Sequence, residues 1–582
     1  MSAIISALDN HTSKQFGENG HVEYGWSNSL REQILQFSFQ VIRTKEDGVN
    51  KLKAILRNLL ISLKNQVTNS LVYNNSEREV AKGLLSVLYR LIGQTRDIID
   101  GKGEYTLTYM MIHTWYEFYP ELAFFALKCL VDLGDKTVHQ YGSWKDIKYF
   151  CEYCRSHGAD VTHPLIQYAI RLTNEQLKQD YANLESNATG ISLLARWTPR
   201  EKSSFGWLYQ SFATDYFSQY MDTANTHTRH IKATLKCKTE YRKVLSSLNK
   251  QLDTLQIKQC GKKWSKIDFN RVTSISNTKQ KKAFLNIKKN GEIRHSDDED
   301  RIVCAENFRA RIKKAVDGEV EMKGKRVGMA DFTKQALDLI IHPNDDEINL
   351  LNSQWRDNSS QNGALGNFIA MVDVSGSMAG DPMNVAISLG IRISEKSKLG
   401  KRVMTFSSTP TWVNLEGYND FVSQVEFLKL APWGMNTNFY AALDMILDAI
   451  IVNKLSPEDV QDMVLVVLSD MQMDAGDSCN KEVLYEKMKD KYETAGIRVH
   501  GKPYKPPHIL FWNLRSTSGF PSLSSQPNCS MMSGFSPALL NLFCDQGMDA
   551  LQSCTPWSML EKSLENQRYK IMGEKISQVI QV

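Results

Sequence analysis

The chain has 582 residues, 42% of them hydrophobic and 23% charged, with a formal net charge of +5. That composition is ordinary for a globular protein and excludes collagen and full disorder. Ten cysteines at this length are too sparse for a disulfide scaffold, and no apolar run approaches the roughly 18 residues of a membrane helix. The opening MSAIISALDNHTSK has no basic start and no clean cleavage site, so the expected address is intracellular, cytoplasmic and not secreted, with reduced thiols and no membrane partner.

Residues 1–26 read as an N-terminal tail. From 27 to about 225 one helical pattern follows another. Residues 77–93 place Val80, Leu84, Leu85, Leu88, Leu91 and Ile92 at the 3.6-residue period. Pro120 suits the first turn of a helix passing through Leu122, Phe125, Ala126, Cys129 and Leu130 to a stop at Gly134. Further helices are expected at 106–118, 144–156, 163–183 and 205–221, joined by short polar or glycine-bearing turns at 100–104, 139–143 and 196–201. No fixed repeat period emerges, so the reading is an array of helix–turn–helix units rather than a demonstrated solenoid.

Charge is unevenly spread along this array. Residues 229–289 hold 17 Lys and Arg against Glu240, Asp253 and Asp268, a local net charge of +14 that leaves −9 for the rest of the chain. Tyr241, Val244, Leu245, Leu248, Leu252 and Leu255 recur there at helical spacing, so one face packs while lysines occupy the other. Summed charge of this size attracts polyanions or acidic protein surfaces. Arg242, Lys243, Lys262, Lys263, Lys281 and Lys282 are the candidate nucleic-acid contacts; a solvated helix face is the plainer alternative. Polar stretches at 295–301, 343–347 and 353–367 mark a change of texture. The helical region therefore spans 27–340 and 341–366 reads as a linker.

Over 367–582 apolar runs at 368–372, 403–406, 463–468 and 509–512 alternate with helical patterns at 382–398, 439–452 and 481–495, with another after Pro537. That alternation predicts a doubly wound α/β sheet, so the fold class is α + α/β. The first run ends in Asp373-Val374-Ser375-Gly376-Ser377, with Asp381 as cap and Pro382 in the first turn of the next helix. A polar loop offers Thr437 before the helix at 439, and the third run ends in Ser469-Asp470. Asp373, Ser375, Ser377, Thr437 and Asp470 are all oxygen donors at the sheet edge where ligands bind in this architecture. Such a set selects a hard cation, Mg²⁺ first, with Mn²⁺ or Ca²⁺ as substitutes. Two carboxylates neutralise a dication but leave it under-coordinated, so an acidic group from a partner, or a phosphate, would complete its shell.

This arrangement resembles the metal-ion-dependent adhesion site of von Willebrand factor type A domains, through the DVSGS run, the threonine of GMNTNF and the aspartate of SDMQ. In that family the last aspartate often acts through water, which bears on Asp470. The run YRKVLSSLNKQLDTLQIKQCGKKWSKIDFNRVTS, then DVSGSM, WGMNTNF, VVLSDMQMD, ILFWNLRSTS and SGFSPALLNLF, is similar to the family called domain of unknown function 2828, over most of the chain from about residue 75. That family occurs in plants, fungi and giant viruses, so a virion or viral factory stands beside the cytoplasm as an address. Residues 96–123 and 143–150 resemble the helical-repeat ring of TROVE proteins, the Ro ribonucleoprotein group. That likeness implies small structured RNA as a partner of the helical region, beside an acidic protein ligand at the metal site.

Other signals carry less. Cys151 and Cys154, followed by His157 and His163, lack the ligand spacing of a zinc site and read as buried helical cysteines. Arg196, Trp197, Arg200 and Lys202 could grip a phosphate and stack a base, but read first as a helix start with Trp197 in the core. Gly101-Lys102-Gly103 lacks the phosphate-loop pattern and reads as a turn. The expected function is a non-enzymatic binding scaffold. A purely protein-binding assembly factor is the alternative, and a metal-dependent phosphodiesterase using Asp373 and Asp470 is weaker, because no base stands by to activate water.

Overall fold

The computed structural model describes residues 13–68, 75–135, 137–432, 434, 437–474, 484–544 and 548–580. An antiparallel pair of short strands comes first, β1 Lys14–Phe16 and β2 Val22–Tyr24. Six later strands form one sheet: β3 Phe368–Asp373, β4 Arg402–Phe406, β5 Thr411–Asn414, β6 Val464–Ser469, β7 His508–Asn513 and β8 Cys529–Ser533. Their order is β5–β4–β3–β6–β7–β8, parallel throughout except for the β4–β5 pair. Every residue of β3, β6, β7 and β8 is buried, because a strand covered on both faces has no solvent-facing positions. The chain steps from β3 outward to β5, then returns to the other side of β3 to lay down β6, β7 and β8. The direction of winding reverses between β3 and β6, which opens a crevice at the carboxyl ends of those two strands.

Side chains alternate across the sheet. Ile369, Met371, Leu465, Val467, Ile509 and Phe511 join the core of the helical region. Ala370, Val372, Val466, Leu468 and Trp512 pack on the opposite side with Phe332, Trp355, Val385 and Leu389. The helix Asp381–Lys396 crosses that second face, and a Cβ at Gly390 would lie 2.4 Å from Val372 Cγ2; only glycine permits so close an approach.

The helical region is built from Glu46–Thr68, Asn75–Arg96, Thr106–Tyr116, Pro120–Cys129, Lys145–Ser156, Pro164–Glu185, Gly206–Tyr216 and His227–Leu252, among others. Pro120 opens its helix as expected. The expected helix at 205–221 breaks at Phe217. His227–Leu252 buries Tyr241, Val244, Leu245 and Leu248 and stops at Asp253, whose φ of 42° is left-handed.

Two segments carry more structure than their composition suggests. The stretch 341–366 contains a helix, Asp345–Ser359, whose N-cap Asn344 accepts from the Glu347 N–H and which buries Leu350, Leu351 and Trp355. Its polar residues are a cap and a first turn of acids, placed where the helix dipole favours them. The stretch 1–26 contributes β1 and β2. Near the C-terminus, Pro556–Leu564 packs on both β8 and Asn75–Arg96 of the helical region, and Lys570–Ile580 packs on that same helix.

A turn at 97–103 ties these parts together. Arg568 Nε and Nη2 donate to Asp97 at 2.6 and 2.7 Å, and Arg96 grips the buried Asp146 at 2.6 and 2.9 Å beside the Tyr109 hydroxyl. Lys102 Nζ donates to Ser38 O (2.8 Å), Val41 O (3.0 Å) and Ser533 Oγ (2.7 Å). Burial pulls this ammonium down to about 7, against a smaller upward pull from Glu104. The unfolded chain keeps the proton to about 10.4, so between those values the unfolded state binds more protons and stability rises with pH. One proton is worth about 1.4 kcal/mol per pH unit. Urea unfolding between pH 7 and 9 should show a slope more positive by about that amount than in Lys102→Met; equal slopes would mean the ammonium stays charged across the range.

Candidate functional site

Asp373 ends β3 and Ser469 ends β6, one on each side of the crevice. Ser469 Oγ donates to Asp373 Oδ2 at 2.5 Å, and the Ser375 N–H donates to Oδ1 at 2.9 Å. A short 3₁₀ turn, Gly376–Met378, then brings Ser377 Oγ to 3.1 Å from Ser375 Oγ. The next helix starts at Asp381 with Pro382 in its first turn, but its N-cap is Gly380 at φ 98°. Asp381 is therefore not the cap; its carboxylate pairs with Lys334 instead.

Thr437 precedes Asn438, which caps the helix Phe439–Val452. The Asn438 N–H donates to Ser407 O just past β4, and the Thr437 N–H donates to Asp474 Oδ2 at 2.8 Å. These two bonds hold the loop against the same sheet edge. Trp433, Met435 and Asn436 of that loop lie outside the described residues. Asp470 accepts from the Gln472 N–H at 3.1 Å through Oδ1 and from Arg515 Nε at 2.8 Å through Oδ2. Asp373, Ser375, Thr437, Ser469 and Asp470 are each 0% exposed, and Ser377 is half-buried.

The electrostatics of this set fit a cation. Burial, reinforced by the Asp470 charge, pushes the Asp373 carboxyl up to about 7, although the bonds from Ser375 and Ser469 favour its ionised form. Among the described residues the buried Thr437 Oγ1 has no hydrogen-bond partner, an arrangement that costs free energy unless something fills it. Ser375 and Ser377 hydroxyls have each other, and lone pairs to spare. A dication would take up all of these needs. Among the described residues no group of three or more His, Cys, Asp and Glu is set to hold a metal; this set uses two carboxylates and hydroxyls. Asp470 has both oxygens engaged, which suits contact through water rather than direct ligation.

Several residues at this edge escape a reading by motif. Ser469 and Asp474 sit inside the quoted SDMQMD run, yet their hydroxyl and carboxylate roles depend on neighbouring strands. Arg515 lies two residues past β7, at the same carboxyl edge, and that position is the signal that marks it. Its Nη2 also meets Glu18 Oε2 at 3.0 Å. Glu18 belongs to the turn between β1 and β2, which lies against the site: the Glu18 N–H donates to Gln472 Oε1 (2.7 Å), Asn19 Nδ2 to Gln472 O (2.9 Å), Gly20 bridges to Asp474 and Tyr24 to Phe520.

The candidate nucleic-acid residues are dispersed, and most are paired. Arg242 meets Glu201, Lys243 meets Glu240, and Lys281 and Lys282 both reach the buried Glu347. Lys262 and Lys263 stand exposed in a turn, with no ion pair among the described residues. Cys151 and Cys154 are fully buried, and burial raises the Cys154 thiol to about 12. Trp197 differs from its expected core position: it ends the short helix Leu194–Trp197 half-buried, beside Lys145, Lys148 and Arg196.

Comparison with known proteins adds family but no activity. Residues 151–293 match the family described as domain of unknown function (DUF2828), and residues 367–578 match another domain of unknown function, DUF7788. An uncharacterised protein of Acanthamoeba polyphaga mimivirus is 30% identical over 511 residues, which cover 84% of this chain and 80% of the viral one.

The fit of the β1–β2 turn against the site rests on Gly519, where a Cβ would fall 1.7–2.0 Å from the Glu23 carboxylate atoms. Gly519→Ala should push Glu23 out and loosen the strand pair. Amide hydrogen exchange at 16–24 and at Phe520 is expected to quicken at least tenfold while the sheet stays protected; unchanged exchange would show that the contact is not what seats β1 and β2.

Proposed function

The chain belongs to the DUF2828 family, and we propose that its sheet-edge site is a metal-ion-dependent adhesion site of the von Willebrand A type within a non-enzymatic binding scaffold. The observation that carries this reading is the buried pair Asp373 and Asp470 at the β3–β6 crevice, with Ser375, Ser377 and a buried Thr437 hydroxyl that has no partner among the described residues at the same sheet edge. Asp373, Ser375, Ser377 and Thr437 would hold the ion, Mg²⁺ by the hardness of the donors, and Asp470 would orient its water. When bound, the ion supplies a fixed positive charge with open coordination positions. The protein's own residues do the rest: Ser469 and the Ser375 N–H fix the Asp373 carboxylate, Asp474 fixes the loop that carries Thr437, and Arg515 fixes Asp470. An acidic side chain or phosphate of a partner is the ligand this arrangement accepts.

The same reading makes the helical region the second arm of the scaffold. The alternative of a phosphodiesterase gains nothing from the geometry, since among the described residues the groups shown acting on Asp373 are hydroxyls, a backbone N–H and an arginine-paired carboxylate.

Two measurements test the proposal. At a Mg²⁺ concentration about a hundred times its Kd, binding should stabilise the fold by about 2.7 kcal/mol, seen as a raised unfolding midpoint that EDTA reverses. Asp373→Ala should abolish the rise and Thr437→Ala should weaken it, both with unaltered circular dichroism. A polyglutamate column should retain the wild-type chain in Mg²⁺ and release it in EDTA. A midpoint indifferent to Mg²⁺, Mn²⁺ and Ca²⁺, with equal retention in EDTA, would reject the site.

A further inference from the structure

In the helical region, the helices Thr106–Tyr116 and Lys145–Ser156 and the segment 194–205 build a patch of aromatic rings overlaid by cations. Lys145 Nζ lies 5.4 Å from the centre of the Tyr105 ring, 5.1 Å from Tyr149 and 5.9 Å from Trp197. Lys148 Nζ lies 5.8, 5.2 and 5.3 Å from Tyr149, Trp197 and Phe205, and the Arg196 guanidinium 5.1 Å from Trp197. Tyr105 and Tyr149 are 37% and 38% exposed, unusually open for tyrosines resting on a packed array. Between them is a cavity of about 380 Å³, lined by Tyr105, Tyr109, Lys145, Tyr149, Glu152 and Tyr153.

The charges here are unbalanced. Lys145, Lys148 and Arg196 form no ion pair with any described carboxylate, in contrast to Arg242, Lys243, Lys281 and Lys282. Glu152 shares the cavity, but Arg155 holds it at 2.7 Å and the Trp207 indole at 2.8 Å. Asp146 lies buried beneath, spent on Arg96 and Tyr109. Burial and then Lys145 lower the proton affinity of Lys148, as like charges gathered without a balancing anion should. Cation–π contact offsets part of that cost; a polyanion would offset more.

We propose that this patch is a binding platform for single-stranded nucleic acid, on which bases stack against Tyr105, Tyr149 and Trp197 while Lys145, Lys148 and Arg196 turn to the phosphates. Both halves of the chemistry are present: π-faces that any base can use, and flexible cations with no carboxylate to leave, which would exchange their contacts with those rings for phosphates. A duplex keeps its bases stacked inside and cannot present their faces to rings set in a cavity, so the single strand is the form selected. The platform uses no residue of the 229–289 segment, although the helix Leu194–Trp197 packs against it, and it does not depend on the metal-site reading.

The test uses the full chain and fluorescein-labelled oligouridylate and oligothymidylate of roughly 12 nucleotides, read by anisotropy at low salt. Both strands should bind, or the RNA strand alone if the sugar hydroxyl is also read; a duplex of equal length should bind at least tenfold more weakly. Tyr149→Ala should cost about tenfold in affinity, whereas Tyr149→Phe, which keeps the ring, should bind like wild type and so separates stacking from misfolding. Lys148→Gln should lower the slope of log K against log salt by about 0.7. The pair Lys262→Gln and Lys263→Gln should leave affinity unchanged. Absence of binding, equal binding of duplex, or loss only in the Lys262 and Lys263 pair would overturn the platform.

Discussion

One buried lysine holds the molecule's parts in register. Lys102 reaches the carbonyls of Ser38 and Val41 at the end of the helix Leu30–Gln40 and the hydroxyl of Ser533 at the end of β8. A lysine so enclosed is destabilised as an ion and accepted only where its N–H groups find oxygens; here two segments far apart in the chain, residues 38–41 and the end of β8, supply three. Around it the 97–103 turn adds Asp97, which receives Arg568 and Tyr569 from the C-terminal helices, and Ile98, whose carbonyl receives Arg326. The helical region and the sheet therefore share polar contacts as well as the continuous apolar core. The position of the sheet edge, and of everything mounted on it, follows from this seam.

Much of the sheet was legible in the letters. β3, β6 and β7 read within one residue at each end because strands buried on both faces must be unbroken apolar runs. β8 was invisible: its Cys529-Ser530-Met531-Met532-Ser533 looks polar, and its two serines are satisfied only by tertiary partners, His508 and Lys102. β5 is an antiparallel edge of four residues with Trp412 45% exposed, too short and too mixed to announce itself. The strands β1 and β2 have three residues each and depend on Phe520 and Asp474 for pairing, information no local window contains. The helix Asp345–Ser359 was hidden by its own cap and acidic first turn, which resemble a loop in composition.

The candidate site divides along the same line. Asp373, Ser375, Ser377 and Asp470 are local to strand ends, so a strand followed by a tight turn reveals them. Arg515 and Glu18 become neighbours of Asp470 only when β7 lies beside β6 and the N-terminal turn folds over both. The aromatic platform shows the same dependence. Arg196 and Trp197 are adjacent in sequence and could be weighed together, whereas Lys145 and Lys148 arrive from an earlier helix. Without them Trp197 has no reason to stay half-exposed.

Charge at the sheet edge gives the proposed chemistry its direction. Asp373 and Asp470 alone would neutralise a dication, leaving little to attract an anionic ligand. Arg515, 2.8 Å from Asp470, cancels one of those charges, so a bound dication would carry an excess positive charge facing the crevice. Glu18 on Arg515 reduces that excess from outside, but it is 55% exposed and its pairing is screened by water and salt. The inner pair, with Asp470 0% exposed, is screened far less. An anion approaching the ion therefore meets a field set mainly by Arg515 and the metal, and a neutral ligand gains nothing from it. In the proposed site that asymmetry, rather than the number of oxygen donors, would make an acidic partner the natural occupant.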